Sequence, residues 1–312
     1  MKGVPREAIN TILGSLSTST INQYNTTYKH WWNFCDKNEF SPFDGNPNNI
    51  LAFLQNLLET SNNSYGSFNS HRSALSLIMP NDIGNHPHIK RFLKGVFRKR
   101  PPTAKYDTTW DPSQVLDYLR NTTSSDLKSL SMKLVTLLAL ASGQRIQTLS
   151  LIKCSNIQET EEGIKIFIPD HTKTSGPGRF QPFINLPYFK EESRLCTASL
   201  LKQYLLQTKV VRENDNLFIT YKSPHGTASK QTLSRWVKEI LKASRISDSY
   251  NPHSTRHAST SDAFRKGLPL DAIRRSAGWS SSSRIFNKFY NRPLAETNTF
   301  METVFNNNSS EG

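Results

Sequence analysis

The 312-residue chain has little of what small secreted domains, membrane proteins or metalloproteins are built from. Its three cysteines, Cys35, Cys154 and Cys196, stand far apart, with no C-x-x-C pair and no zinc-ligand spacing. That argues against a disulfide framework and points to a reducing interior compartment. The longest apolar run, Leu134 to Ala141, is less than half of the roughly 20 residues that a spanning helix needs. The first residues lack the apolar stretch of a secretory signal, so no membrane partner is expected. There is no G-x-x-x-x-G-K-[ST] loop for nucleotide phosphates, no recognisable metal-ligand cluster and no internal repeat. No cofactor is therefore expected. Acidic residues are also scarce: 25 Asp and Glu face 39 Lys and Arg, a formal net charge of +14. That balance suits a polyanionic partner.

What is present fits two domains. The first hundred residues read as helices. Ile21, Tyr24, Tyr28, Trp31, Trp32 and Cys35 mark one, and Ile50, Leu51, Phe53, Leu54, Leu57 and Leu58 mark another, opened by Pro47. A third runs from about Ser64 to Ile78 and a fourth from about His88 to Phe97. Their aromatics follow helical spacing, which assigns them to a core. Arg72, Lys90, Arg91, Lys94, Arg98, Lys99 and Arg100 gather on the last two helices and just beyond. This cluster suits contact with nucleic-acid phosphates, and equally an ordinary solvated face.

Between Arg98 and Trp110 the sequence RKRPPTAKYDTTW changes character. Pro101 and Pro102 forbid a continuous helix, and the basic residues, Lys105 included, could lie along DNA. The domain boundaries expected are 1–98 for a helical first domain, 99–110 for a basic linker, 111–293 for a second domain and 294–312 for a tail. The second domain opens with Asp111 as N-cap, Pro112 at the first helical position, Gln114 placed for a capping box and Trp110 placed to staple onto Val115. A wide apolar stripe, Leu127 to Ala141, predicts a buried helix ending at Gly143. Arg145 follows at once, near the floor of whatever that helix supports. Ile164, Ile166 and Ile168, answered by Phe180, Pro182, Ile184 and Leu186, predict a hairpin or a small sheet edge around the turn HTKTSGPGR. Helices are predicted over 195–207 and 230–243.

The stretch His253 to Tyr290 organises the rest. Pro252 starts a helix and Gly267 ends it, and His253, Arg256, His257 and Thr260 share one face of it. Two imidazoles and a guanidinium on one stripe fit an anion site; a solvated face is the other reading. Pro269 opens a short helix, Leu270 to Ala277, closed by Gly278 with Trp279 next. A third helix is predicted from about Ser283 to Asn291, carrying Ile285, Phe286, Phe289 and Tyr290.

The order H-x-x-R, then G-W, then a late tyrosine resembles the catalytic half of the tyrosine recombinases. ASGQRIQTLSLI looks like their first arginine box. The local wording, AGW and then FYNRP, is most like recombinases of eukaryotic mobile elements of the DIRS and Crypton type. The resemblance implies an α+β chain, mainly α with a small β-sheet in the second domain, in which a helical core-binding domain and a catalytic domain clamp DNA. It implies Arg145, Lys173, His253, Arg256, Trp279 and Tyr290 as catalytic residues, with Tyr290 as nucleophile and Lys173 on the hairpin turn; Lys165 and Arg179 stand close enough to be confused with Lys173. Two departures stand out. Thr148 occupies a position that is commonly acidic, and the Trp279 to Tyr290 spacing is slightly long.

The activity implied is metal- and ATP-independent breakage and rejoining of double-stranded DNA through a 3′-phosphotyrosine. The implied assemblies are a homodimer on one site and a homotetramer in a synaptic complex. For a eukaryotic element the location implied is the nucleus. Leu294, Phe300, Val304 and Phe305 suggest a short amphipathic tail; one reading has it cap its own domain, and the resemblance implies that it docks on a neighbouring protomer within a DNA-bound tetramer. The alternatives are a recombinase-derived protein that only binds DNA and a type IB topoisomerase.

Overall fold

The computed structural model describes residues 5–103, 105–170, 172, 175–176, 181–280, 286 and 290–294. The chain divides into two compact units, Met1–Ala104 and Lys105–Gly312. No helix among the described residues is long and apolar enough to cross a membrane.

The first unit is helical: α1 (Arg6–Leu13), α2 (Thr18–Lys37), α3 (Pro47–Thr60), α4 (Tyr65–Ile78) and α5 (Pro87–Lys99). Ser17, Asn46 and Ser64 each cap the helix that follows by accepting a backbone N–H. The apolar faces meet in one core around Trp31, Phe53, Phe68, Leu75, Ile89 and Leu93. Trp31 lies edge-on to Phe53 with ring centres 5.2 Å apart, and its indole N–H donates to the Pro42 carbonyl at 3.0 Å. Trp32 differs from the sequence expectation: it is 52% exposed and leans on Phe43 outside the core.

In the second unit, α6 (Pro112–Asn121), α7 (Leu127–Ser142) and α8 (Ile146–Leu149) precede a three-stranded antiparallel sheet. Its strands are β1 (Ile157–Thr160), β2 (Gly163–Phe167) and β3 (Phe183–Pro187). Ile164 pairs with Leu186 and Ile166 with Ile184, and all four are buried. Strand β1 was not expected; it is short and almost wholly exposed, so it lacks the apolar alternation that marks a strand in sequence. Four helices follow: α9 (Thr197–Thr208), α10 (Lys230–Ala243), α11 (Ser254–Arg265) and α12 (Leu270–Ala277).

Helix α7 is the central post, packed against α9, α10 and α11. Asp126 and Ser129 form its capping box, and Gly143 ends it in the left-handed region at φ 60°. The box expected at Asp111 does not close on Gln114; the Asp111 carboxylate accepts from Ser113 N instead. Residues 106–110 are bonded within the second unit, which begins at Lys105. Trp110 is buried in that unit's core beside Val115 and donates its ring N–H to Ser254 Oγ at 2.8 Å. The predicted third helix lies outside the described residues apart from Phe286, Tyr290 and Asn291, and so do Lys173, Arg179, Phe180 and the tail beyond Leu294.

Candidate active site

The approach to α11 sets the first half of the site. Asn251 Oδ1 accepts from His253 N at 3.0 Å, so the turn holds His253 at the mouth of the helix with its ring partly open to solvent. One turn further in, Arg256 is 0% exposed. Its Nη1 donates to the Gly143 carbonyl at 2.6 Å, tying α11 to the end of α7. Its Nε and Nη2 have no hydrogen-bond partner in suitable geometry among the described residues. The guanidinium carbon lies 4.3 Å from the Trp279 ring centre and 5.4 Å from that of Tyr290. Gly143 is required here twice over: its φ is positive, and an added Cβ would come within 3.2 Å of Thr260 Cγ2.

The second half comes from beyond α12. Gly278, at φ 67°, turns the chain so that Trp279 N donates back to the Arg274 carbonyl at 2.8 Å. The Trp279 ring N–H is buried and has no partner among the described residues. Tyr290 is 7% exposed, with Oη 3.0 Å from His253 Nε2. Its ring stacks on His257 at 4.2 Å and 22°, and meets Trp279 at 4.8 Å. Ser261 Oγ donates to the Tyr290 carbonyl and accepts from Arg292 N at 3.2 Å, which fixes the backbone around the phenol.

Arg145 stands at the start of α8, half-buried; its carbonyl accepts from Leu149 N at 3.1 Å, and its guanidinium makes no hydrogen bond or ion pair among the described residues. Its loop is latched to α12. Buried Gln144 donates to the Ser276 carbonyl at 2.6 Å, and Ser276 Oγ donates to the Ser142 carbonyl at 3.0 Å. Thr148 is buried on α8. Sequence reasoning missed Gln144 and Ser261. Neither carries a signal beyond its place beside Gly143 or one turn after His257.

The electrostatics follow from crowding cations in a partly dry space. Burial first, and then the charges of Arg256, Arg145, Lys105 and Lys230, pushes the His253 imidazole down to about 4. Burial first, and then Arg145, lowers Arg256 to about 9, with the Tyr290 phenol opposing. At neutral pH the imidazole is uncharged. With Nε2 unprotonated, the phenol donates to it. Two guanidiniums with spare donors beside a phenol and a neutral imidazole form a receptor for an anion that gains charge as it reacts. Among the described residues no group of three or more His, Cys, Asp or Glu is placed to hold a metal ion.

The model of the Phage integrase family matches residues 110–296, more than half of the chain. The chain belongs to the phage integrase family. No curated protein matches it by sequence. The chain is similar in fold to the XerH site-specific recombinase in a post-cleavage complex with palindromic difH (TM-score 0.63, 19% identity, 91% of this chain and 78% of that one). It is also similar to lambda integrase residues 75–356 bound to DNA (0.56, 14% identity, 94% and 97%). A third similar structure is the Tn1549 transposon integrase with transposon right-end DNA (0.55, 14% identity, 84% and 86%).

Of the residues singled out in sequence, Tyr290 is within hydrogen-bond reach of His253 and packs against Arg256 and Trp279, Arg256 packs against Trp279, and Arg145 lies within electrostatic range of His253 and Arg256. In the first unit, Lys90, Arg91, Lys94 and Arg98 line an open cleft of about 650 Å³ on α5. Arg72 sits half-buried on α4 and Lys99 is exposed at the end of α5. Arg100 departs from the expected phosphate contact. Its guanidinium donates to the Asn63 and Leu58 carbonyls at 2.8 and 2.6 Å, capping the end of α3.

Proposed function

We propose that the chain is a site-specific DNA recombinase of a mobile element, cutting and rejoining double-stranded DNA through a 3′-phosphotyrosine. The observation that carries this reading is the Tyr290 phenol, 3.0 Å from a neutral His253 and packed beside the under-satisfied guanidinium of Arg256. Tyr290 Oη attacks the scissile phosphorus and its proton passes to His253 Nε2. The bond from phosphorus to the 5′ oxygen breaks as the new ester forms. Arg145 and Arg256 bind the non-bridging oxygens, whose charge rises in the transition state. The departing 5′ oxygen takes a proton from Lys173, the role that the family resemblance implies. Because the phosphoester is exchanged for another ester, the reverse attack by a 5′ hydroxyl rejoins DNA without an energy source. Trp279 packs both the tyrosine and the arginine.

Family membership supports this chemistry, and the DNA complexes among the similar structures support duplex DNA as partner. The finer reading is a recombinase of DIRS or Crypton type, acting in the nucleus as a dimer on one site and a tetramer at synapsis. It rests on the AGW and FYNRP wording.

The test uses nicked duplexes built from the sequences flanking the coding region, resolved on a denaturing gel. An adduct at the 3′ phosphate that disappears in Tyr290→Phe is expected. Salt-sensitive binding without any adduct would overturn the reading in favour of a DNA-binding protein, with Thr148 the first suspect. Adducts with supercoil relaxation but no strand exchange would mark a topoisomerase.

A further inference from the structure

Residues 106–110 touch both halves of the candidate site. The Tyr106 hydroxyl accepts from Asn251 N at 3.0 Å, and Asn251 in turn accepts from His253 N at 3.0 Å. The Tyr106 ring meets His257 at 5.7 Å and 79°, and His257 is the imidazole on which the Tyr290 ring stacks. Around this contact, Thr108 Oγ1 lies 3.1 Å from Tyr250 Oη, and Trp110 is bonded to Ser254. On the other side of the nucleophile, Thr109 N donates to the Pro293 carbonyl at 2.8 Å and Thr109 pairs in parallel with Leu294. A stretch nearly 150 residues away in sequence thus brackets the proton acceptor and the segment that follows the phenol.

We propose that Tyr106 is a positioning residue for the cleavage step, holding His253 through Asn251 and the Tyr290 ring through His257. Its chemistry rests on the recombinase reading; its geometry does not. A residue that merely filled space would need a ring or an alkyl chain. Tyr106 adds a hydroxyl acceptor on the turn that presents His253, where a displacement of an ångström is enough to spoil proton transfer.

The experiment compares Tyr106→Phe and Tyr106→Leu with the wild-type full chain by two readouts. The first is the imidazole ¹⁵N spectrum of the free protein, with the His253 signal identified by its loss in His253→Gln. Tyr106→Phe is expected to move the His253 Nε2 resonance towards that of an unbonded imidazole. The second is the single-turnover rate of adduct formation at saturating nicked duplex. A roughly five- to tenfold loss is expected for Phe and about a hundredfold for Leu, with DNA affinity unchanged. An unmoved His253 resonance together with wild-type rates in Tyr106→Phe overturns the proposal. A rate loss that follows only a fall in melting temperature overturns it too. If the wild type forms no adduct while Tyr106→Phe still shifts His253, the recombinase reading fails and the positioning role stands.

Discussion

His253→Gln tests whether the site is a pre-charged anion receptor. Folding lowers the imidazole from 6.5 to about 4, so the unfolded chain takes up the proton first as pH falls. Stability from this group is therefore complete above about 6.5 and drains away as pH drops towards 4. Between pH 7 and 5, a fully buried imidazole with these values would forfeit roughly 2 kcal/mol; the open edge of His253 screens this to about 1 kcal/mol. Urea unfolding of wild type and His253→Gln at both pH values isolates that amount as a double difference, in which the first unit and every other titrating group cancel. The wild type should lose about 1 kcal/mol more than the variant on acidification. Equal losses, or a variant that suffers more, would refute a neutral His253 crowded by Arg256, Arg145, Lys105 and Lys230.

Two further outcomes follow from the same structure. Arg256→Lys should lower the cleavage rate by more than about a hundredfold at saturating DNA, because one ammonium cannot bond the Gly143 carbonyl and also fork onto a phosphate; a loss under tenfold in the nicked-duplex assay would show that the fork is unnecessary. Replacing Lys90, Arg91 and Lys94 together by Ala should weaken binding evenly across sequences and reduce the slope of log affinity against log salt by roughly 2 to 3. Fluorescence anisotropy over a salt series reads both, and an unchanged slope would remove the α5 cleft from the DNA interface.

Punctuation made parts of the chain legible. Pro269 and Gly278 bound α12 at the residues expected, because a fixed φ before a helix and a left-handed residue after it leave little choice. The shared face of His253, Arg256, His257 and Thr260 was equally readable, since helical spacing alone puts them on one side. Periodicity could not say that Arg256 and Thr260 on that face are buried while His253 reaches solvent; that depends on α7 and Trp279 closing over it. Nor could it show Tyr106 on the Asn251 turn or Arg100 on the Leu58 and Asn63 carbonyls. Each bond joins residues far apart in sequence, and a basic, proline-containing stretch reads the same whether solvated or docked.

Tyr290 is stored among side chains of its own chain: it bonds His253, stacks on His257, leans on Trp279 and is pinned through its backbone by Ser261. Handing it to a neighbour would require dismantling that nest. In a complex of several copies, each subunit would then cut the strand gripped by its own arginines. If copies assemble on DNA as proposed, a dead copy mixed among live ones would silence its own cut and spare the rest, because each chain keeps its own phenol packed beside its own Arg256.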